Sequence, residues 1–311
     1  MKYKSGGLQA ISRQLCFWGK DMINTTEFLD THFNKMSQAE AIELLEARLL
    51  NRVGGKVFYA NAHTVVTSTR SRQLKLALSR SDLVLADGSG VRWGSAFLGK
   101  PLVYNLNGTD LVPALLEAGA KKGLSVYLLG AKPGVAEEAA KNLQKTFPKL
   151  VIAGVQDGYF SKPETPQVIE AIRQARPHLL MVAMGVPLQE IWINQHAAQL
   201  PGITCMGVGG LFDFLASKVP RAPRLVRATG MEWCWRLAME PQRMWKRYCV
   251  GNLVFLKMVA GKALTTTRVQ NPNALSNPFS LNYQDYTFVA EESSFEASNK
   301  PQRQSQELKI S

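Results

Sequence analysis

Six short apolar runs recur along the first two thirds of the chain, and amphipathic stretches separate them. The runs are KVFYANA at 56–62, DLVLAD at 82–87, LSVYLLG at 124–130, LVIAGVQ at 150–156, HLLMVAMG at 178–185 and ITCMGVGG at 203–210. Several are apolar at almost every position, as in parallel strands covered by helices on both faces. Between them, residues 37–50, 110–123, 134–147 and 163–176 carry apolar residues at helical spacing. This alternation predicts an α/β fold: a Rossmann-like, mainly parallel sheet with helices on both faces. In such sheets ligands bind outside the C-terminal ends of the strands. No internal repeat is present.

The strand ends carry the candidate chemistry. The second run ends in LVLADGSGVRWG (83–94), where an apolar strand stops at Asp87 and three small residues follow. Asp-Gly is a common turn pair, yet a carboxylate at a strand end with little beside it also suits a catalytic acid on a cleft floor. Asn61, Gly130, Gly185 and the pair Gly209-Gly210 end other runs. Glycine admits close approach of a ligand to the backbone, and helix N-termini offer free N–H groups to phosphate. Any one of these junctions reads more readily as a turn; five together favour a ligand cleft. GTDL at 108–111 (Gly108, Thr109, Asp110) reads as a helix start capped by Thr109 or Asp110. In GVPLQEIWINQH (185–196), Gln189 beside Glu190 suits an exposed amide and carboxylate holding sugar hydroxyls, and equally an acid-favouring first helical turn. His63 and His196 stand alone, with no metal-ligand spacing near them.

The net charge of +13 is unevenly spread. Residues 218–262 hold ten Lys/Arg against two acids, Glu232 and Glu240, a local charge of +8. The chain therefore divides into an α/β part (1–217), a basic, Trp-rich helical appendage (218–262) and a polar tail (263–311) whose composition predicts disorder. Within the appendage, Arg236, Arg243, Lys246 and Arg247 lie near helical spacing and predict one basic face beside Trp235, Met239, Trp245 and Tyr248. Such a helix suits an anionic membrane surface. The same composition allows single-stranded nucleic acid as a partner. Cys16, Cys205, Cys234 and Cys249 lie far apart and read as reduced thiols of an intracellular protein. The N-terminus lacks the continuous apolar core of a secretory signal, and no run approaches the ~20 residues that span a bilayer. LLGAKPG (128–134) is not the GxGxxG of a dinucleotide fold, which weakens a nicotinamide-dependent reading.

Eight stretches in order then match a known pattern: ANA at 60–62, LADGSGV at 85–91, NGTDLV at 107–112, VYLLGAKPGVAEEAA at 126–140, QDGYF at 156–160, MVAMGVPLQEIW at 181–192, MGVGGLFDFLASKVPRAP at 206–223 and MEWCWRLAMEPQRMWKRY at 231–248. Over residues 55–250 the chain resembles the WecG/TagA/CpsF family of bacterial glycosyltransferases. The resemblance implies transfer of an N-acetylmannosamine-like or related sugar from a UDP-sugar to a polyprenyl-diphosphate-linked sugar, with inversion and without a metal or other cofactor. The site of action it implies is the inner face of the cytoplasmic membrane, in cell-surface polysaccharide synthesis. It makes Asp87 the general base and Gln189 an active-site residue. It assigns Arg236, Arg243 and Lys246 to the acceptor diphosphate and the membrane. Asn105 stands where the family often has arginine, and Ser217 where glycine is usual. The rival reading is a nucleic-acid or nucleotide-binding protein of Rossmann-like fold. Oligomeric state stays open, a homo-oligomer included.

Overall fold

The computed structural model describes residues 24–270. The N-terminal stretch read for a signal, Cys16, and residues 271–311 of the polar tail lie outside them. The described residues up to Thr267 form one compact unit.

The chain enters through a hairpin of β1 (Thr25–Phe28) and β2 (Thr31–Asn34), paired with Phe28 opposite Thr31. Its two-residue turn, Leu29 and Asp30, has positive φ at both positions, 46° and 56°. Hairpins need that geometry because it matches strand twist, and Asn-Gly or Asp-Gly usually supplies it. Leu-Asp carries no such signal, so the run gave no warning of a hairpin. Asn34 Oδ1 accepts the backbone N–H of Val84 at 2.7 Å and ties the hairpin to the main sheet.

Each of the six apolar runs holds one strand: β3 (Gly55–Ala60), β4 (Leu83–Ala86), β5 (Ser125–Gly130), β6 (Val151–Gln156), β7 (Leu179–Ala183) and β8 (Thr204–Gly207). All pair in parallel, in the order β4-β3-β8-β7-β5-β6. Side chains alternate between faces. Val57 and Tyr59 enter one core with Leu85, Leu128 and Met206, while Phe58 and Ala60 enter the other with Val84, Leu129 and Cys205. Two buried faces explain why the runs read as continuously apolar.

The helices follow the strands. Preceding β3 is α1 (Gln38–Leu50), which starts in a reciprocal cap between Ser37 and Glu40. After β3 come α2 (Ala62–Arg70) and α3 (Arg72–Ser79); after β4, α4 (Ser89–Phe97) and α5 (Gly108–Ala120). Then α6 (Val135–Thr146), α7 (Thr165–Ala175), α8 (Leu188–His196) and α9 (Leu211–Leu215) follow β5, β6, β7 and β8. Helices α1, α5, α6 and α9 cover the first core; α2, α3, α7 and α8 cover the second. One detail differs from expectation. The cap of α5 is Asn107, whose Oδ1 accepts from the Asp110 N–H at 2.8 Å, and neither Thr109 nor Asp110 caps it.

The basic appendage is not one helix. It forms α10 (Arg224–Ala228), α11 (Glu232–Met239) and α12 (Pro241–Trp245), then a π turn at Lys246–Val250 and α13 (Gly251–Gln270). Non-helical backbone at Glu240 (φ −132°, ψ 61°) and the following Pro241 break the path, so Arg236 does not share a helix with Arg243, Lys246 and Arg247. The expected single basic face is therefore absent. Helix α13 runs past 262, into the segment read as tail. Phe255 of α13, 3% exposed, packs its ring 6.0 Å from that of Phe28 and lies over Gly94, closing the second core. No helix among the described residues is long and apolar enough to cross a membrane.

Candidate active site

A cavity of about 870 Å³ opens at the C-terminal ends of β3, β4, β7 and β8, with the appendage as its far wall. Asn61, Asp87, Gly108, Thr109, Gly185, Gln189, Gly209 and Gly210 line it from the sheet side; Arg236, Arg243 and Arg247 line it from the appendage. Gly130, Asp110, Glu190 and Lys246 are not in the lining. Gly130 ends β5, which β7 separates from the cleft. Its φ is +126°, and a Cβ there would strike the Ala183 backbone, so strand packing alone accounts for the glycine.

Asp87 stands one residue past β4. Its N–H donates to the Ala60 carbonyl at 3.0 Å, and its Oδ2 accepts from Asn61 Nδ2 at 3.1 Å. Asn61 itself caps α2, accepting from the Thr64 N–H, so its amide is fixed at both ends. Among the described residues no group donates to Asp87 Oδ1. Gly88 follows with φ +88°, and its N–H donates to Asn105 Oδ1 at 2.7 Å. Asn105, where the family often has arginine, thus fixes the turn after Asp87. Ser89 Oγ donates to the Gly230 carbonyl at 2.7 Å, which fastens the appendage to this turn.

Gln189 is 2% exposed, contrary to the exposed amide expected from sequence. Its Oε1 accepts from the N–H of Gly185 (3.2 Å) and of Gly209 (2.9 Å), and its Nε2 donates to Glu190 Oε1 at 2.8 Å. One amide therefore clamps two glycine loops of the cleft together. Its polar atoms are spent on the protein. Glu190 is fully buried, and its Oε2 has no hydrogen-bond partner. Burial pushes its carboxyl up to about 7, against the pull of the Gln189 hydrogen bond and the Arg247 charge.

That shift has a measurable consequence. The folded state holds the Glu190 proton more tightly than the unfolded state, whose ordinary value is 4.5. Stability from this group is present below pH 4.5 and is lost as pH rises through about 7. Glu190→Gln removes the titration while its carbonyl still accepts from Gln189. Between pH 5 and pH 8 the variant gains on the wild type by on the order of 3 kcal/mol in denaturant unfolding. An unchanged difference at the two pH values means the carboxyl ionises without cost.

Three cavity groups escaped the sequence reading. His63 was set aside as a lone histidine, yet it lines the cleft; burial, then the Arg247 charge, lowers its imidazole to about 4 and keeps it neutral near pH 7. Glu232 also lines the cleft. Burial raises its carboxyl above the usual range, Arg221 and Arg227 oppose this, and Asp110 and Asp87 add to it. Arg227 lines the cavity too and lies 3.8 Å from Asp110. Asp110 is taken up by Arg221, with which it forms a short ion pair. Burial pushes the Asp110 carboxyl up, but hydrogen bonds from Arg221 and Asn107 outweigh it and hold it below its ordinary value. Glu232 was readable as one of only two acids among ten cations.

The guanidiniums differ in commitment. Arg236 lies 3.7 Å from Glu240 and stacks over Phe214; Arg243 pairs with Glu240 at 2.7 Å and Asp213 at 3.3 Å. Arg247 makes no ion pair within 4 Å among the described residues, and its Nε is buried without a partner. Lys246 is exposed and is not among the lining residues.

A strand-end carboxylate facing several arginines across a cleft suits transfer onto a hydroxyl with an anionic leaving group. The family model of the Glycosyl transferase WecG/TagA/CpsF family matches residues 26–269. The chain belongs to this family. It is a glycosyltransferase of cell-envelope polysaccharide synthesis. Among similar proteins are N-acetylglucosaminyldiphosphoundecaprenol N-acetyl-beta-D-mannosaminyltransferases. The one from Bacillus spizizenii is 31% identical over 226 residues, 72% of this chain and 85% of its own length. That from Bacillus subtilis is 31% identical over 207 residues, 66% of this chain and 80% of its own. That from Staphylococcus aureus is 30% identical over 229 residues, 73% and 87% respectively. The family match takes in every residue of the cavity lining.

Proposed function

We propose that this glycosyltransferase moves an N-acetylmannosamine-like or related hexose from a UDP-sugar to a sugar carried on a polyprenyl diphosphate. The names of the similar proteins support this acceptor class. The observation that carries the mechanism is Asp87, whose Oδ1 is free at the cleft floor while Asn61 holds Oδ2. Asp87 takes the proton of the acceptor hydroxyl as its oxygen attacks the anomeric carbon. The C–O bond to UDP breaks on the opposite face, which inverts the centre. Arg227, Arg236, Arg243 and Arg247, with the N-terminus of α4, meet the charge that develops on the diphosphate.

No metal enters this scheme, and among the described residues no three His, Cys, Asp or Glu side chains form a candidate metal set. The enzyme works at the inner membrane face, held by the cationic appendage and by exposed Trp245 and Leu225.

The test is UDP release from a panel of UDP-sugars, with and without a sugar-diphosphate-lipid acceptor. One UDP-sugar gives acceptor-dependent UDP, and EDTA leaves the rate unchanged. Release from none, together with tight RNA binding, overturns the reading in favour of a nucleic-acid partner. Loss in EDTA with recovery in Mg²⁺ overturns the metal-free step.

A further inference from the structure

The cavity has two ends of opposite character. Asp87, Asn105, Thr109 and the arginines occupy one. At the other, α4 contributes Trp93 and Phe97, and α13 contributes Phe255, Leu256, Val259 and Ala260. On α13 the lining residues are Asn252, Phe255, Leu256, Val259 and Ala260, at i, i+3, i+4, i+7 and i+8. That spacing is one continuous helical stripe. It begins at the polar Asn252, beyond Arg247, and spans about 12 Å at 1.5 Å per residue, of which the last ~7.5 Å, Phe255 to Ala260, is apolar.

The exposure along this stripe is unusual. Phe255 and Val259 are buried and form its floor. Trp93 (54%), Phe97 (71%) and Leu256 (60%) stand open at its lips. Large apolar side chains gathered at a cavity mouth mark a binding surface more often than chance. A nucleotide sugar brings a uracil face that can stack on an aromatic ring, but no aliphatic chain to run along the stripe.

We propose that the groove between α4 and α13 binds the isoprenoid chain of the lipid-diphosphate acceptor. The inference rests on the acceptor class proposed above. An amphipathic ligand is the one kind that uses both ends at once: its polar head group lies in the charged end, and its chain continues along the α13 stripe from Asn252 toward Ala260. The groove then sets the direction in which the chain leaves the site, and so which sugar hydroxyl faces Asp87.

Binding of two water-soluble probes tests this without a membrane or a transfer step. Farnesyl diphosphate and dimethylallyl diphosphate share the diphosphate and differ by two isoprene units. The wild type binds farnesyl diphosphate at least about tenfold more tightly, from the added apolar surface removed from water. Phe97→Ser with Leu256→Ser reduces that preference to below about threefold, and Ala260→Trp, which fills the groove, does the same. Both alter exposed positions, so folding is not at issue. Leu225→Ser removes an exposed leucine outside the cavity and keeps the preference. Equal binding of the two probes by the wild type overturns the proposal. So does a preference that survives both groove variants, or one that Leu225→Ser lowers equally, which points to apolar binding outside the groove instead. A farnesyl preference that obeys these variants, in an enzyme that releases UDP with no acceptor, leaves the groove standing and fails the transfer reading.

Discussion

Asp87→Asn lowers turnover by about 10²-fold or more and leaves the fold intact, as expected for loss of a general base. The side chain keeps its shape, and its carbonyl oxygen replaces Oδ2 as acceptor of the Asn61 amide, which lies 3.1 Å away. What disappears is the lone pair that takes the proton at Oδ1. A general base acts on the acceptor hydroxyl in the transition state, so in that role the loss falls on kcat, while the KM for the donor stays within a few-fold. Asn61→Ala provides the graded comparison. It frees the carboxylate to rotate, and it also removes the α2 cap, so it lowers both rate and stability by smaller amounts. A near wild-type rate in Asp87→Asn reduces Asp87 to a turn residue. Glu232, which shares the cleft, then becomes the next carboxylate to examine.

How much of this was legible before the structure follows from physical range. The sheet was legible because strands buried on both faces write continuous apolar runs, and each run held a strand. Asp87 was legible for a related reason, since a carboxylate ending such a run has to face an opening. The hairpin was not, because the backbone of Leu29 and Asp30 is imposed by tertiary packing of Phe28 and Phe33 and not by turn chemistry. Gln189 lines the cavity, but its burial and its clamp on Gly185 and Gly209 depend on two loops distant in sequence. His63 and Glu232 become cleft residues only when the appendage folds back over the sheet. Local spacing read the appendage as one helix; the break at Glu240 and Pro241 is what turns Arg236 and Arg247 toward a common cavity.

Arg247→Met lowers transfer by about 10²- to 10³-fold, the scale expected when one preorganised donor to a developing anion is lost. Methionine keeps most of the apolar stem that packs beneath the cavity and removes only the guanidinium. Arg243→Met costs less, because Arg243 is half exposed and already shared between Glu240 and Asp213. Arg247 has no such carboxylate partner, and burial lowers its pKa, so its charge is the least screened of the cluster. An independent readout comes from its neighbours. The Arg247 charge opposes protonation of His63 and favours ionisation of Glu190. In Arg247→Met the His63 imidazole therefore titrates above its present value of about 4, yet still below the ordinary 6.5, because burial is the larger cause. The Glu190 carboxyl moves up from about 7, because the cation that favoured its charged form is gone. Histidine NMR titration follows the first shift directly. Both shifts together with the rate loss place the guanidinium at the cleft centre; a full rate with an unmoved His63 puts Arg247 on the surface with Lys246.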